Sequence, residues 1–189
     1  MPPKKQASSS EAKPGKRTLV QGALKGNLVF NGGYLGLNGE IVEDCCDKHK
    51  EMIEKHVPRD YVKKKEERDK GGHHHITLML KQDVKKAIES LPSTFPSLIP
   101  ANATASSLTI EDLLNVMEKT LDLSDLKPLG VGRVAKSGAE ALFVVVEWPS
   151  ANQFLNTVGA DKRDFHVTLG FKDKDIHGVA KNQTTLLKE

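Results

Sequence analysis

The sequence predicts an α+β sandwich, and three observations carry that expectation. From Leu28 onward the segments run strand, helix, strand, helix, helix, two strands, helix, strand, a mixed order unlike the strict strand-helix repeat of a parallel sheet. Leu126 to Val134 and Ala141 to Trp148 are apolar runs separated near Ser137 and Gly138, the pattern of an antiparallel hairpin. A weak internal duplication completes the case: each half holds a helix and one strand of similar wording, His75-Ile76-Thr77-Leu78 and His166-Val167-Thr168-Leu169.

The chain has 189 residues, 38% hydrophobic and 28% charged, which is enough apolar content for one globular core. A single domain is expected over residues 18–189. Met1 to Arg17 is a basic arm rich in Lys, Pro and Ser, with too few apolar side chains to offset the entropy of ordering, and is expected to be disordered. The arm lacks the apolar stretch of a secretory signal, and no run reaches the ~18 apolar residues of a membrane span. An intracellular protein, cytoplasmic or nuclear, without a membrane partner is therefore expected. Cys45 and Cys46 are adjacent and cannot close a long-loop disulfide, which fits a reducing compartment. The formal net charge of +3 hints at a polyanionic partner.

Taken in order, Leu28 to Leu37 is strand-prone but interrupted by Gly32, Gly33 and Gly36, so a bent or bulged strand carrying Tyr34 is expected. Ile41 to Val57 has helical spacing at Ile41, Cys45, Met52, Ile53 and Val57, and Pro58 ends it. Arg59 to Lys70 is densely charged and reads as a solvated helix or loop rather than as a nucleic-acid-binding surface, since charge runs without interleaved aromatics rarely carry recognition. Ile76 to Leu80 is a short strand, after which Asp83 caps a helix with Val84, Ala87, Ile88 and Leu91 on one face, stopped by Pro92. Ser93 to Ser107 is a surface loop, and Thr109 with Asp112 caps a helix that turns Leu113, Leu114, Met117 and Leu121 inward. After the hairpin, Ser150 and Gln153 form a capping box for a helix with Phe154, Leu155 and Val158, ended by Gly159. Phe165 to Phe171 is a strand, and Thr184 to Leu187 is a candidate final one.

The two histidine strands carry the chemistry. Alternation puts His75 and Thr77 on one face and Ile76 and Leu78 on the other. In the second strand Phe165, Val167, Leu169 and Phe171 are expected to bury together while His166 and Thr168 point away, with Gly170 keeping that face open. Brought to one cleft, two imidazoles and two hydroxyls suit a phosphodiester: one imidazole takes a proton from water, the other protonates the leaving oxygen, and the hydroxyls bond the non-bridging oxygens. A lone His-x-Thr is uninformative. Two copies about ninety residues apart, with the same inside-outside pattern, are not.

Through His75 to Leu78 and His166 to Leu169 the chain resembles the 2H phosphoesterase superfamily, which is defined by paired His-x-[Thr/Ser]-apolar motifs. The wording Phe165 to Phe171, followed by Asp175-Ile176-His177-Gly178, is similar to the eukaryotic RNA-repair branch, the cyclic phosphodiesterase modules associated with tRNA ligases. The resemblance covers Leu28 to Leu187. It implies a bilobal 2H sandwich, two antiparallel sheets with outer helices flanking a central cleft. It also implies hydrolysis of a 2',3'-cyclic phosphate, on an RNA end or a nucleotide, to a 2'-phosphate without metal or other cofactor. Under that resemblance His75 and His166 are the catalytic pair, His166 as base on water and His75 as acid on the leaving 3'-oxygen, and Thr77 and Thr168 hold the phosphate. A 2',5'-phosphodiesterase using the same residues and a nucleotide- or RNA-binding module without turnover are the alternatives. An RNA-repair ligase or kinase working on the same ends is expected to be a separate protein.

Further candidates for substrate contact are Tyr34, by stacking on a base, Arg133 and Lys172, by charge, and His74 and His177, as supporting imidazoles. Each also has a plainer reading, as packing for Tyr34 and as solvated surface for Arg133 and Lys172. Trp148 is expected to pack in the core or at a helix start. His73 and His75 fall on one face of a strand and could share a cation, but no Cys or paired carboxylate completes a metal site, so none is expected.

Overall fold

The computed structural model describes residues 15–188, so residues 1–14 of the expected arm lie outside the description. Seven strands form one sheet: β1 (Gly15–Gln21), β2 (Leu24–Phe30), β3 (Tyr34–Asn38), β4 (His75–Leu80), β5 (Lys127–Lys136), β6 (Ala139–Glu147) and β7 (Phe165–Phe171). Their order across the sheet is β1-β2-β3-β4-β7-β6-β5, and every neighbouring pair is antiparallel. The helices are α1 (Glu40–Asp47), α2 (Lys50–His56), α3 (Arg59–Arg68), α4 (Lys81–Thr94), α5 (Ile110–Thr120) and α6 (Pro149–Thr157).

The α+β class stands, but the two sheets of the expected sandwich are one continuous sheet. Its seam is the pairing of Ile76 on β4 with Val167 on β7. Both residues are fully buried, because each follows its histidine on a strand whose alternate residues face the core. The duplicated strands are thus the two edges that meet, one from each half of the chain. The main core runs along this sheet, from Leu28 and Leu37 through Ile76 and Val167 to Val144, with residues of α1, α4, α5 and α6 packed over it. The opposite face carries the histidines.

Several elements differ from expectation. β1 starts at Gly15, so Gly15, Lys16 and Arg17 belong to the sheet: they pair with Phe30, Val29 and Leu28, and Arg17 reaches Glu111 and Glu118 on α5 at 3.5 and 3.6 Å. The edge of β2 offers its backbone there, which the polar composition of the arm conceals. Leu28 to Leu37 is two strands joined through Asn31, whose side chain accepts from the N–H groups of Gly33 and Tyr34 at 3.0 Å. The Ile41 to Val57 helix is broken at Lys48 and His49, where the His49 N–H bonds to the Cys46 carbonyl three residues back. The charged segment from Arg59 is helix α3, and it buries Lys65.

Pro92 does not stop α4, which runs on to Thr94 because a proline so near the end forfeits a single N–H. Asp83 lies inside the first turn of α4 and pairs with Arg163 at 3.1 Å instead of capping. The Thr109 and Asp112 capping box is formed. That at Ser150 and Gln153 is not: Ser150 bonds the Asp125 carboxylate through its N–H and hydroxyl at 2.7 and 2.9 Å, and Trp148 precedes Pro149 at the helix start. Trp148 is fully buried, and its indole N–H donates to the Asp122 carbonyl at 3.0 Å. Thr184 to Leu187 makes a short 3-10 turn and one bridge, Gly132 to Leu186, in place of a strand.

The alternation of β7 also fails beyond Thr168. The register between β6 and β7 shifts between Leu142 and Phe143, and past the shift Phe171 packs with Ala139, Ala141 and Ile176 in a second cluster apart from the main core. Gly170 does not hold a face open. A side chain there would lie 2.7 Å from the Tyr61 backbone carbon and 2.8 Å from the Val62 nitrogen, so its bareness lets α3 press against β7.

Candidate active site

Pairing Ile76 with Val167 in the antiparallel sense sets Thr77 across from His166 and His75 across from Thr168. Directly opposed side chains on neighbouring strands are about 5 Å apart and diagonal ones roughly 7–8 Å. The four motif residues therefore share one small patch at the seam, on the face away from the main core. The sheet order itself, which places β4 and β7 side by side, gathers these residues from opposite halves of the chain.

On the β4 side, Tyr34 stacks on His75 with ring centroids 5.1 Å apart and planes inclined by 23°. Gly36 makes this possible, since a side chain there would meet the Tyr34 ring at 3.0 Å. Burial pulls the His75 pKa below the ordinary imidazole value; the Asp69 carboxylate opposes that, and the Lys65 and Arg68 cations reinforce it. Burial, and then the Asp69 charge, raise the Tyr34 phenol above its ordinary value. A cavity of about 420 Å³ opens beside this pair, lined among others by Asn31, Tyr34, Asn38, Asp69, His73 and His75.

On the β7 side both nitrogens of His166 are engaged. Nδ1 lies 3.0 Å from the Asp164 carbonyl, which can only accept, so Nδ1 carries the proton and Nε2 the lone pair. The Lys181 ammonium donates to Nε2 at 3.3 Å, and the edge of the imidazole meets the Phe143 ring at a centroid distance of 5.6 Å. Burial first, and the Lys181 charge second, push the His166 pKa down to about 4. His166 is thus neutral at neutral pH with its lone pair at Nε2, the state a general base requires.

Around the histidines is a charge cluster that reading along the sequence does not reveal. Lys65 and Lys181 are both only 3% exposed. Lys181 pairs with Asp175 at 3.0 Å, and Lys65 with Asp69 at 3.3 Å. Arg68 joins the two pairs, binding Asp69 at 2.7 Å and Asp175 at 2.9 Å, with its guanidinium 5.0 Å from the centre of the Phe171 ring. The Thr168 hydroxyl donates to Asp175 at 3.4 Å. The neighbouring cations hold both carboxyls below the usual carboxylate range against the opposing effect of burial. Lys65, Arg68 and Asp69 recur at helical spacing, so one face of α3 delivers them together; that spacing was the available signal. Asp175 stood within the quoted Asp-Ile-His-Gly stretch, but Lys181 lies in a loop with no periodicity to mark it.

The softer candidates divide. His177 is exposed and lies near His166 and Asp175. His74, just ahead of β4, points elsewhere, bonded through Nδ1 to Glu43 on α1 at 2.7 Å. Arg133 is on the outer strand β5, paired with Glu140 at 2.7 Å. Lys172 is exposed, and its carbonyl accepts from the Lys64 ammonium. These three are not brought to the patch. Among the described residues no group of three or more His, Cys, Asp or Glu is arranged to hold a metal ion, and no helix is long and apolar enough to cross a membrane.

No curated protein and no solved structure matches the chain. A family model does: Swiss Army Knife, 2H phosphoesterase domain, over residues 33–177, a span that takes in both histidine motifs, β3, β4 and β7. With well over half of its length matched, the chain belongs to the 2H phosphoesterases and is by family a hydrolase of phosphodiester bonds.

Proposed function

We propose that the cleft opens 2',3'-cyclic phosphates on RNA ends or nucleotides and leaves a 2'-phosphate. The observation that carries this reading is the juxtaposition of two unlike imidazoles with Thr77 and Thr168 at the seam, beside a cluster of buried cations. Water attacks phosphorus as His166 Nε2 takes its proton. The bond to the 3'-oxygen breaks as His75 gives that oxygen a proton, and the electron pair leaves with it. Thr77 and Thr168 donate to the non-bridging oxygens, where negative charge builds up. The likeness of the second motif to the tRNA-ligase-associated branch supports an RNA end as the natural substrate, and the cavity beside Tyr34 and His75 has room for the nucleoside that carries the leaving oxygen.

The test is incubation of the full chain with a 2',3'-cyclic mononucleotide and, separately, with 2',5'-linked oligoadenylate, reading products by chromatography. Conversion of the first to the 2'-phosphate supports the proposal. Cleavage of the oligoadenylate alone makes the chain a 2',5'-phosphodiesterase, and binding without conversion makes it a nucleotide-binding module. Turnover is expected to survive EDTA, because side chains supply both proton transfers; loss on chelation, restored by a divalent ion, contradicts that.

A further inference from the structure

We propose that Lys181 is a catalytic residue whose ammonium closes off the Nε2 lone pair of His166 in the free protein and passes to a phosphoryl oxygen when substrate binds. The proposal rests on the cyclic-phosphate reading of the cleft and adds to it a residue outside both motifs and outside residues 33–177 of the family match. With Nδ1 protonated toward Asp164, His166 has a single lone pair, and in the free protein Lys181 holds it at 3.3 Å. Lysine and water cannot both use it, so catalysis requires the ammonium to leave.

It has a short way to go. Lys181 is anchored by Asp175 at 3.0 Å, and its Nζ lies 5.2 Å from the centre of the Phe143 ring. An ammonium has three protons, so it can keep Asp175 and exchange Nε2 for another acceptor. A water giving its proton to Nε2 stands about 3 Å from that atom, and the phosphorus it attacks is one bond further. The oxygens on that phosphorus therefore fall within reach of Nζ.

Charge supplies the driving force. Among the described residues the side chains of Lys65, Arg68 and Lys181 pair with two carboxylates, Asp69 and Asp175, so within this ion-pair cluster the cations exceed the anions by one. A cyclic phosphodiester carries one negative charge, so it completes the balance and competes for Lys181 better than a neutral lone pair does. Base activation is thereby coupled to phosphate binding. The titratable groups near His166 are Lys181, Asp175 and His177 from the segment after β7, and Asp164 just before β7, whose carboxylate accepts from the Lys181 backbone N–H at 3.1 Å; Phe143 on β6 adds none.

The experiment compares wild type, Lys181→Met and Lys181→Arg as full chains, with circular dichroism to confirm folding. Read are kcat/KM for a 2',3'-cyclic mononucleotide across pH, and the His166 titration by nitrogen NMR with and without inorganic phosphate. Lys181→Met is expected to lose about 10²-fold in kcat/KM and to move the acid limb and the His166 midpoint upward; Lys181→Arg is expected to keep more of the rate. In wild type, phosphate is expected to raise the His166 midpoint. Wild-type rates and an unmoved acid limb in Lys181→Met overturn the proposal. So does a wild-type His166 that ignores bound phosphate, a result that stands even if the Met variant fails to fold. Absence of turnover on the cyclic mononucleotide in wild type, with the phosphate shift present, would reject the cyclic-phosphate reading and leave standing the exchange of Lys181 from Nε2 to a phosphoryl oxygen.

Discussion

His166 has both ring nitrogens occupied, while His75 has one ring face covered by Tyr34, and the proposed division of roles rests on that difference in setting. With the His166 pKa near 4 and that of His75 lowered from 6.5, the free protein has its base and acid in the needed forms only on the acid side of neutrality. The kcat/KM profile is therefore expected to be a bell with its maximum between about pH 4 and 6.5; a maximum above pH 8 contradicts the assignment. His75→Ala and His166→Ala should each lose about 10²- to 10⁴-fold. A substrate with sulfur in place of the 3'-oxygen, which departs without protonation, should restore His75→Ala far more than His166→Ala, and the opposite pattern exchanges their roles. The threonines contribute charge-assisted hydrogen bonds worth about 1.5–3 kcal/mol, so Thr77→Ala and Thr168→Ala should be the milder losses. Thr→Ser variants near wild type would separate the hydroxyl from the rest of the side chain. These four residues were legible because a strand hides one residue and shows the next. Lys181 and Arg68 were not, because their roles arise from contacts with residues distant in sequence.

At the scale of elements, what was legible is what depends on local pattern: the hairpin of β5 and β6, the capped start of α5, and β7 itself. What escaped depends on partners. β1 is polar in composition and becomes a strand because β2 has an edge to pair, and Arg59 to Arg68 looks solvated until β7 is placed beside it. Helix α3 is the element that links packing to chemistry, since its contact at Gly170 fixes where Lys65 and Arg68 stand. Gly170→Ala puts a methyl group 2.7 Å from the Tyr61 backbone, which cannot swing aside as a flexible side chain would. The expected cost is about 1–3 kcal/mol of stability, read as a lower urea midpoint, together with a reduced rate as the cations of α3 shift. An unchanged midpoint would show that α3 is not seated on β7 as described.

For the molecule as a whole, one sheet joins two halves through a seam that also carries the proposed reacting groups, so on that reading stability and chemistry answer to the same protons. Burial lowers the pKa of His166, which favours its neutral form in the fold, whereas an unfolded chain protonates it near 6.5. Stability is therefore full above pH 6.5 and falls as pH drops toward 4, by up to roughly 3 kcal/mol from this residue. His75 shifts in the same direction and adds to the loss. Asp69 and Asp175, held below the usual carboxylate range, contribute stability above an unfolded value of 3.8 that is lost only below it, so the two windows are consecutive. Urea midpoints measured from pH 7 to pH 3 should fall first in the histidine window, and His166→Asn should flatten that first fall while leaving the later one in place. Parallel curves for the two proteins would mean that the seam does not bury a neutral imidazole, and with it would go the argument that His166 is the base.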